Sequence, residues 1–266
     1  MKKITVIGGD SRLITVKNHL IKQGYRVDSL GLSDDDNGDF RSSDIIILPV
    51  PTTRDNVNVY APLTQRTIPL SFLKANINNS QIILCCNYSF ETKRCIDYNS
   101  LDSYALLNAV PTAEGAISMA IENTPFTLWK SRVLVIGYGR VGKVLADRLK
   151  ALGCKVVVSA RKPADFAMLK ALGFETVNTN NLNNSPLYYD IIFNTVDAKV
   201  IDDQSFETTT CRLIIDLSTK GGFSLPAAKE KGITAIKAPG LPGITAPETA
   251  GRILAETITE IINSFN

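Results

Sequence analysis

Short apolar runs alternate with longer amphipathic stretches along the chain. The runs, rich in Ile and Val, predict β-strands, and stretches with apolar residues every three or four positions predict α-helices. The predicted strands are 3–7, 26–30, 44–48, 81–85, 104–107, 132–136, 155–159, 191–195, 213–217 and 234–238. The predicted helices between them, 13–22, 113–123, 143–152, 165–172 and 227–231, mostly end at a glycine. This alternation is typical of parallel α/β sheets.

Two starts of the form strand, glycine turn and helix occur near residues 7 and 136, and each opens an α/β unit. The predicted fold class is therefore α/β, with two Rossmann-like parallel-sheet domains linked by crossing helices. The predicted boundaries are 1–111 for the first domain, 112–130 for a linker helix and 131–245 for the second domain. We expect an interdomain cleft, with the carboxyl ends of both sheets facing it.

The last segment, 246–266, predicts a helix that returns to the first domain. Thr245 is the predicted N-cap, and Glu248 three residues later completes a capping box. From Ala250 to the end of the chain, apolar residues fall on one face. That face needs a partner, so we expect the helix to pack on the first domain.

The sequence Gly137-x-Gly-x-x-Gly142 follows a predicted strand and opens a predicted helix, which is the context of a dinucleotide-binding turn. Gly137 permits the tight turn, Gly139 lets the backbone approach a pyrophosphate, and Gly142 lets the helix pack close to the strand. Arg140 and Val141 complete the helix N-terminus, whose N–H groups and partial positive charge suit phosphate. The second domain is thus the predicted cofactor domain, and the first is the predicted substrate and catalytic domain.

The end of the next strand predicts which nicotinamide cofactor binds. NAD sites place Asp or Glu there to accept from the ribose hydroxyls, whereas this strand ends with Ser159, Arg161 and Lys162 close together. A hydroxyl and two cations suit a 2′-phosphate. This favours NADP over NAD. The alternative is that the two cations are solvated loop residues.

Two further loops are expected near the nicotinamide. Thr195 and Val196 follow a strand and are predicted to line that end of the cofactor. Lys220 is the only cation of the loop after the next strand, so it is a candidate to bind a carboxylate or act as an acid. The alternative for Lys220 is an ordinary surface lysine.

The predicted start of the linker helix supplies a candidate base. Thr112 and Glu114 would lie in its first turn, with Thr112 as a substrate ligand and Glu114 as a general base. The structural alternative is an N-cap threonine and an acid that stabilises the helix dipole.

Loop positions supply the remaining substrate-binding candidates. Arg12 follows the first glycine turn and is a candidate clamp for a carboxylate, and Asn87 is a candidate hydrogen-bonding partner. Gly243 and Thr245 lie in the loop that leads to the last helix, whose N-terminus would favour a carboxylate.

Composition removes several classes of function. With 29 basic and 26 acidic residues, the net charge of +3 is too balanced for a protein that coats nucleic acid. The longest apolar runs are too short to span a bilayer, and the N-terminal apolar stretch is too short for a secretory signal. A single histidine, His19, argues against zinc sites, so no metal is expected. Five cysteines without CxxC spacing suggest a reduced, cytoplasmic protein.

Four segments, 7–12, 110–116, 137–142 and 238–251, together resemble the A-chain family of dipicolinate synthase. The resemblance covers nearly the whole chain. Its most specific part is 238–251, since the glycine turn is shared by many dehydrogenases.

The resemblance implies an oxidoreductase component that acts with the flavoprotein-like B chain of dipicolinate synthase. It implies that a dihydrodipicolinate species, derived from the lysine pathway, is oxidised to dipicolinate during sporulation. The reaction would transfer a hydride to NADP in the mother-cell cytoplasm. The substrate is then a small dicarboxylate, with Arg12, Lys220 and two helix N-termini as carboxylate partners and Glu114 as base. No nucleic acid or membrane partner is implied, and a homo-oligomer stays open.

Two alternatives stay open as well. A shikimate-dehydrogenase-like NADP enzyme has a similar length and domain order, but its lysine-bearing motif is not found in residues 50–70. The other alternative is a catalytically silent NADP-binding component that supports a flavoprotein partner. A D-2-hydroxyacid dehydrogenase would need an acid/base histidine near the end of the cofactor domain, and this chain has none there.

Overall fold

The computed structural model describes residues 2–92, 94–184 and 186–265. It divides into two compact units: unit 1 comprises Met1–Asn108 and Pro242–Asn266, and unit 2 comprises Ala109–Leu241. Within the described ranges, no helix combines the length and apolar character that a membrane crossing requires.

Strands and helices alternate through both units. The strands are β1 (Lys3–Ile7), β2 (Arg26–Leu30), β3 (Ile45–Ile47), β4 (Ile82–Cys85), β5 (Cys95–Asp97), β6 (Arg132–Ile136), β7 (Lys155–Ala160), β8 (Glu175–Asn178), β9 (Ile191–Asn194), β10 (Leu213–Asp216) and β11 (Thr234–Lys237). The helices are α1 (Ser11–Lys22), α2 (Leu70–Asn76), α3 (Asp102–Glu122), α4 (Arg140–Ala151), α5 (Pro163–Ala171), α6 (Leu225–Glu230), α7 (Leu241–Thr245) and α8 (Pro247–Asn263).

Unit 1 contains a five-stranded sheet in the order β2-β1-β3-β4-β5, with every strand pair parallel. Because successive side chains of a strand point to opposite faces, both faces must be covered. Ile4 and Ile45 pack with α1 and α8 on one face, whereas Ile46 and Ile83 pack with α2 on the other. The continuous Ile-rich strands of the sequence are the signature of this two-sided burial.

The last helix packs on unit 1, but it begins differently from the prediction. The apolar face of α8, including Leu254 and Ile258, joins α1 in one core cluster. The predicted capping box is wrong. Thr245 ends the short helix α7, Ala246 is the N-cap of α8, and no side chain of the described residues caps that helix.

Unit 2 contains a six-stranded sheet in the order β11-β10-β9-β6-β7-β8, again with every pair parallel. Helices α3, α4 and α5 cover one face, and α6 lies on the other. The chain therefore has two parallel α/β sheets, which confirms the predicted Rossmann-like fold class.

The secondary structure predicted from the sequence differs most from the observed structure at α3. The sequence predicts a strand at 104–107 and a linker helix at 112–130, whereas a single helix runs over Asp102–Glu122 with Pro111 in its interior. Four residues cannot reveal whether their apolar period is 2 or 3.6. Tyr104 is buried edge-on against Tyr98, with ring centroids 5.6 Å apart. This packing holds the first turns helical, and the proline is accommodated within the helix at the cost of one backbone hydrogen bond.

Candidate active site

The glycine turn after β6 is built around Gly137. Its φ of +98° lies in the region that favours glycine. A Cβ there would also lie 2.7 Å from the Thr195 hydroxyl oxygen and from a Val196 methyl carbon. The turn is held from the neighbouring strand, because the Gly137 N–H donates to the carbonyl oxygen of Ser159 at 3.1 Å.

The other two glycines of the motif have opposite surroundings. A Cβ on Gly142 would collide with the carbonyl oxygen of Gly137, so this glycine sets the close approach of α4 to the turn. Gly139 is the N-cap of α4, and a Cβ there would meet nothing within 4 Å. Within the described chain no side chain caps this helix. The turn therefore leaves open space at a helix N-terminus, which fits the pyrophosphate of a dinucleotide.

The residues that begin α4 complete this terminus. Arg140 is exposed and Val141 is half-buried in its first turn. Thr195 and Val196 form the wall on the other side of the turn, where the Thr195 hydroxyl donates to the carbonyl oxygen of Ile136 at 2.8 Å. Both residues lie directly against Gly137. Their contact with the nicotinamide stays a prediction.

Ser159 does not present its hydroxyl to a 2′-phosphate, and that prediction is wrong. The side chain is fully buried. Its Oγ lies 3.2 Å from the Gly137 nitrogen, which donates to it, and 2.9 Å from the Thr179 hydroxyl. Ser159 therefore supports the glycine turn from the adjacent strand, because its two hydrogen-bond partners both lie inside the unit.

The two cations that follow β7 are placed differently. Arg161 and Lys162 are exposed, and neither side chain is paired within the described ranges. Lys162 is also the N-cap of α5. The strand itself ends at Ala160, so the position where NAD sites hold a carboxylate carries none.

A buried polar network, not foreseen from the sequence, lies at the carboxyl edge of the same sheet. The Asp216 carboxylate accepts from Asn194 Nδ2 at 2.8 Å, from the Ser218 hydroxyl at 2.6 Å and from the Gly222 N–H at 3.0 Å. Asn194 and Asp216 are partners in the register of β9 and β10, and Asn194 is in turn the partner of Ile136. The sequence does contain a signal for this network, because the apolar strands β9 and β10 each end in one polar residue. These ends lie at the edge where α/β sheets bind ligands.

Lys220 lies in the loop that this network holds. The Asp197 carboxylate accepts from the backbone N–H of Thr219 at 2.6 Å and of Lys220 at 3.1 Å, and the Lys220 side chain is exposed. Since Ile136, Asn194 and Asp216 form one row across three strands, the glycine turn and the Lys220 loop start about 10 Å apart. The structure thus places Lys220 at the carboxyl edge of the unit 2 sheet, on the same edge as the glycine turn.

The placement of Thr112 and Glu114 in a first helical turn is wrong, because Thr112 is the middle residue of α3 and Glu114 lies in its second half. Glu114 is 61% exposed and pairs with Arg148, whose Nε lies 3.3 Å from its Oε1. Arg148 is about 12 Å along α4 from Arg140 at the cofactor end. The helix N-terminus expected at 111–114 therefore does not exist, and the geometry gives Glu114 no position beside the reacting ring.

Arg12 does not serve as an open clamp for a substrate carboxylate. It is 5% exposed, and its Nε and Nη2 donate to Asp10 at 2.9 and 2.7 Å. Nη2 also donates to the carbonyl oxygen of Val50 at 2.6 Å. Burial lowers the Arg12 pKa, but the hydrogen bond and charge of Asp10 outweigh it and leave that pKa raised. Gly243 packs on this guanidinium, since a Cβ there would lie 3.0 Å from Arg12 Cζ.

Two other substrate-binding candidates are exposed. Asn87 follows β4 with a positive φ of 53°, its N–H donates to Asp97 at 3.2 Å, and its Oδ1 accepts from Asn99 at 2.8 Å. Thr245 lies at the end of α7. Both are accessible to a ligand, and their contact with substrate stays a prediction.

Comparison with known proteins identifies relatives over the whole chain. Residues 3–107 match the family model for the N-terminal domain of the dipicolinate synthase A chain, and residues 112–200 match the D-isomer specific 2-hydroxyacid dehydrogenase NAD binding domain. The chain is 32% identical to the dipicolinate synthase A chain of Bacillus subtilis, over 98% of this chain and 95% of that protein.

Solved structures with high similarity to this chain belong to the same family. The crystal structure of the dipicolinate synthase A chain from Bacillus halodurans superposes with a TM-score of 0.88 at 30% identity, covering 98% of this chain and 97% of that chain. The corresponding crystal structure from Bacillus subtilis gives the same TM-score at 31% identity, covering 99% and 96%.

Proposed function

The protein belongs to the A-chain family of dipicolinate synthase and is an NAD(P)-dependent dehydrogenase, and from this we propose that it oxidises a dihydrodipicolinate species to dipicolinate with NADP as hydride acceptor. The observation that carries the proposal is the near full-length similarity to a dipicolinate synthase A chain combined with a glycine turn that leaves room for a dinucleotide at Gly139. We also propose that it works with a second, flavoprotein-like component, the B chain of dipicolinate synthase, in the mother cell of a sporulating bacterium.

Several residues of unit 2 have different proposed roles in binding the cofactor. Gly137 and Gly142 shape the turn, Gly139 leaves the approach open, and the N-terminus of α4 supplies the favourable end of its dipole. When bound, the nicotinamide supplies the hydride acceptor. Loss of a hydride and a proton from the dihydropyridine ring makes it aromatic, so the protein's main task is to orient the ring.

The choice of NADP rests on the end of β7. A carboxylate at that place would accept from the ribose hydroxyls and repel a 2′-phosphate. Here Ala160 ends the strand, and Arg161 and Lys162 follow with exposed side chains. Arg161 is proposed to bind the 2′-phosphate, since a guanidinium matches phosphate geometry with two parallel hydrogen bonds.

Lys220 is the residue of unit 2 proposed to meet the substrate. Its backbone is held by Asp197, its side chain is exposed, and its loop is set by the buried Asp216 network. An ammonium there pairs with one carboxylate of a dicarboxylate, and as a neutral amine the side chain would accept the proton that the ring loses. Glu114 is not proposed as the base, because its carboxylate pairs with Arg148.

The test is an assay of the purified full-length chain with enzymatically generated dihydrodipicolinate, using NADP⁺ or NAD⁺, with and without the B chain. Reduced cofactor is followed at its absorbance maximum, and dipicolinate is followed by its own ultraviolet absorbance. Equimolar formation of both products, faster with NADP⁺, supports the proposal. Turnover of shikimate instead would overturn it, and cofactor binding without turnover in any combination would assign a silent, supporting component.

A further inference from the structure

Two cysteines of unit 1 lie close enough to react with each other. Cys85 ends β4, Cys95 begins the neighbouring strand β5, and their sulfur atoms are 3.4 Å apart. Both are free thiols. Cys85 is buried and Cys95 is partly exposed, so one member of the pair is shielded and the other is accessible from solvent. We propose that Cys95 and Cys85 form a peroxide-reactive pair, in which Cys95 is oxidised first and Cys85 then closes a disulfide with it.

The surroundings make the two sulfurs unequal. Cys95 accepts from the Phe90 N–H at 3.5 Å, and the Cys85 sulfur lies 2.8 Å from the carbonyl oxygen of Tyr88. The hydrogen bond from Cys85, followed by that from Phe90, lowers the Cys95 pKa to about 7 against the opposing effects of burial and Asp97. The same contact and burial raise the Cys85 pKa. A thiolate is the nucleophile in thiol chemistry, so Cys95 attacks and Cys85 resolves.

The chemistry balances with a hydroperoxide as oxidant. The Cys95 thiolate attacks one peroxide oxygen, the O–O bond breaks, hydroxide leaves, and Cys95 becomes a sulfenic acid. The Cys85 sulfur then attacks the Cys95 sulfur, the S–S bond forms and the S–O bond breaks. The thiol proton of Cys85 leaves with that oxygen as water. In sum, two thiols lose two electrons and two protons, and hydrogen peroxide becomes two molecules of water.

The strand register sets the cost of closing this bond. Cys95 pairs with Ile83, two residues before Cys85, so the two Cα atoms are diagonal neighbours at about 8 Å. Disulfides need about 4.4–6.8 Å, so Cys95 must shift by about 1–2 Å towards Cys85. β5 is a three-residue edge strand and can move without breaking the sheet interior. The hydrogen bond from the Ile83 N–H to the Arg94 carbonyl oxygen, now 2.9 Å, lies directly beside this shift.

The test treats the full-length chain with about one equivalent of hydrogen peroxide and counts thiols after denaturation. The five thiols should fall to three, and peptide mapping should find Cys85 linked to Cys95 within one chain. Cys85→Ser should leave a sulfenic acid on Cys95 that a dimedone-type reagent traps, whereas Cys95→Ser should retain its four thiols. Cys86→Ser and Cys154→Ser are matched controls and should still form the link.

Several outcomes would overturn the proposal that Cys85 and Cys95 react as a pair. These are a link that uses Cys86, a link between two chains, loss of two thiols in Cys95→Ser, or five intact thiols in the wild type. If either serine variant fails to fold, peptide mapping of the wild type still decides, because the Cys85–Cys95 link is itself the claim. Faster hydrogen exchange at the Ile83 amide in the oxidised protein would show the expected strand shift.

Discussion

The Nδ2 group of Asn194 donates a 2.8 Å hydrogen bond to Oδ1 of Asp216, and both side chains are buried. The two residues end neighbouring strands, so one carboxylate ties the loop after β9 to the loop after β10. A Cβ on Gly222 would collide with the Asn194 side-chain amide, which shows how closely the second loop folds over this pair. The geometry of this edge of the sheet therefore depends on a buried carboxyl group.

Replacing this carboxylate should destabilise the protein strongly. In Asp216→Ala the Ser218 hydroxyl, its N–H and the Gly222 N–H all lose their acceptor while they stay buried. Each unsatisfied buried donor costs about 1–3 kcal/mol, so a loss of at least about 3 kcal/mol in the free energy of unfolding is expected. Denaturant titration measures it.

The control for this variant is Asp203→Ala. Asp203 pairs with Lys199, but both side chains are more than half exposed, and such pairs contribute about 0–1 kcal/mol. Equal losses of unfolding free energy in the two variants would mean that the Asp216 network stabilises the protein no more than an exposed ion pair does.

Substitutions in the glycine turn should separate effects on folding from effects on cofactor binding. Gly139→Ala places a methyl group in open space at an ordinary φ, so the fold should persist while the methyl occupies the approach to the pyrophosphate. We expect cofactor affinity at least about tenfold weaker with stability almost unchanged, from titration calorimetry and thermal melting. Gly142→Ala should instead lower stability, because its Cβ would strike the backbone of Gly137. Unchanged affinity in Gly139→Ala would contradict a pyrophosphate at this turn.

The sequence predicts strong elements well and weak ones poorly, and the difference has a physical origin. β1, β6 and the glycine turn are specified locally, by a continuous apolar run and by glycines that their own φ and close contacts require. The short edge strands β5 and β8 carry mixed side chains and take their shape from a neighbouring strand.

The same division applies to the site. The role of Ser159 does not follow from its position in β7, because its partners Gly137 and Thr179 are brought to it only by the sheet. The sequence predicts an available Arg12, since this residue follows a glycine turn. Arg12 is instead buried at the start of α1 and pairs with the half-buried Asp10, which no periodicity reports.

Arg161 should distinguish the two cofactors. Loss of a guanidinium that binds a 2′-phosphate removes charge-assisted hydrogen bonds of about 1.5–3 kcal/mol. Arg161→Ala should therefore weaken NADP binding by about 10- to 100-fold and leave NAD binding within about twofold, by fluorescence titration. Lys170→Ala, an exposed cation on α5, is the matched control and should change neither. Equal losses for NADP and NAD would place the 2′-phosphate elsewhere.

The pair formed by buried Arg12 and half-buried Asp10 should be structural. Asp10→Ala leaves a guanidinium that is 5% exposed without its counter-ion, and such a loss costs about 3–5 kcal/mol. Asp10→Ala combined with Arg12→Met should recover part of that loss, because no buried charge is left unpaired. Glu175→Ala, which removes an exposed pair with Arg132, is the control and should cost less than about 1 kcal/mol. No recovery in the double variant would mean that Arg12 has a further role.

Lys220 is the group whose variants separate binding from proton transfer. Lys220→Met should lower kcat/KM for dihydrodipicolinate by about 100-fold, since a charge-assisted contact of about 3 kcal/mol is lost, while cofactor affinity stays the same. Lys220→Arg keeps the positive charge but cannot accept a proton, because a guanidinium stays protonated near neutral pH. If Lys220 only binds a carboxylate, Lys220→Arg retains most of kcat. If it also accepts the proton that the ring loses, kcat falls while KM changes little. Lys229→Met, an exposed lysine on α6, is the control. A Lys220→Met enzyme as active as that control would remove Lys220 from the substrate site.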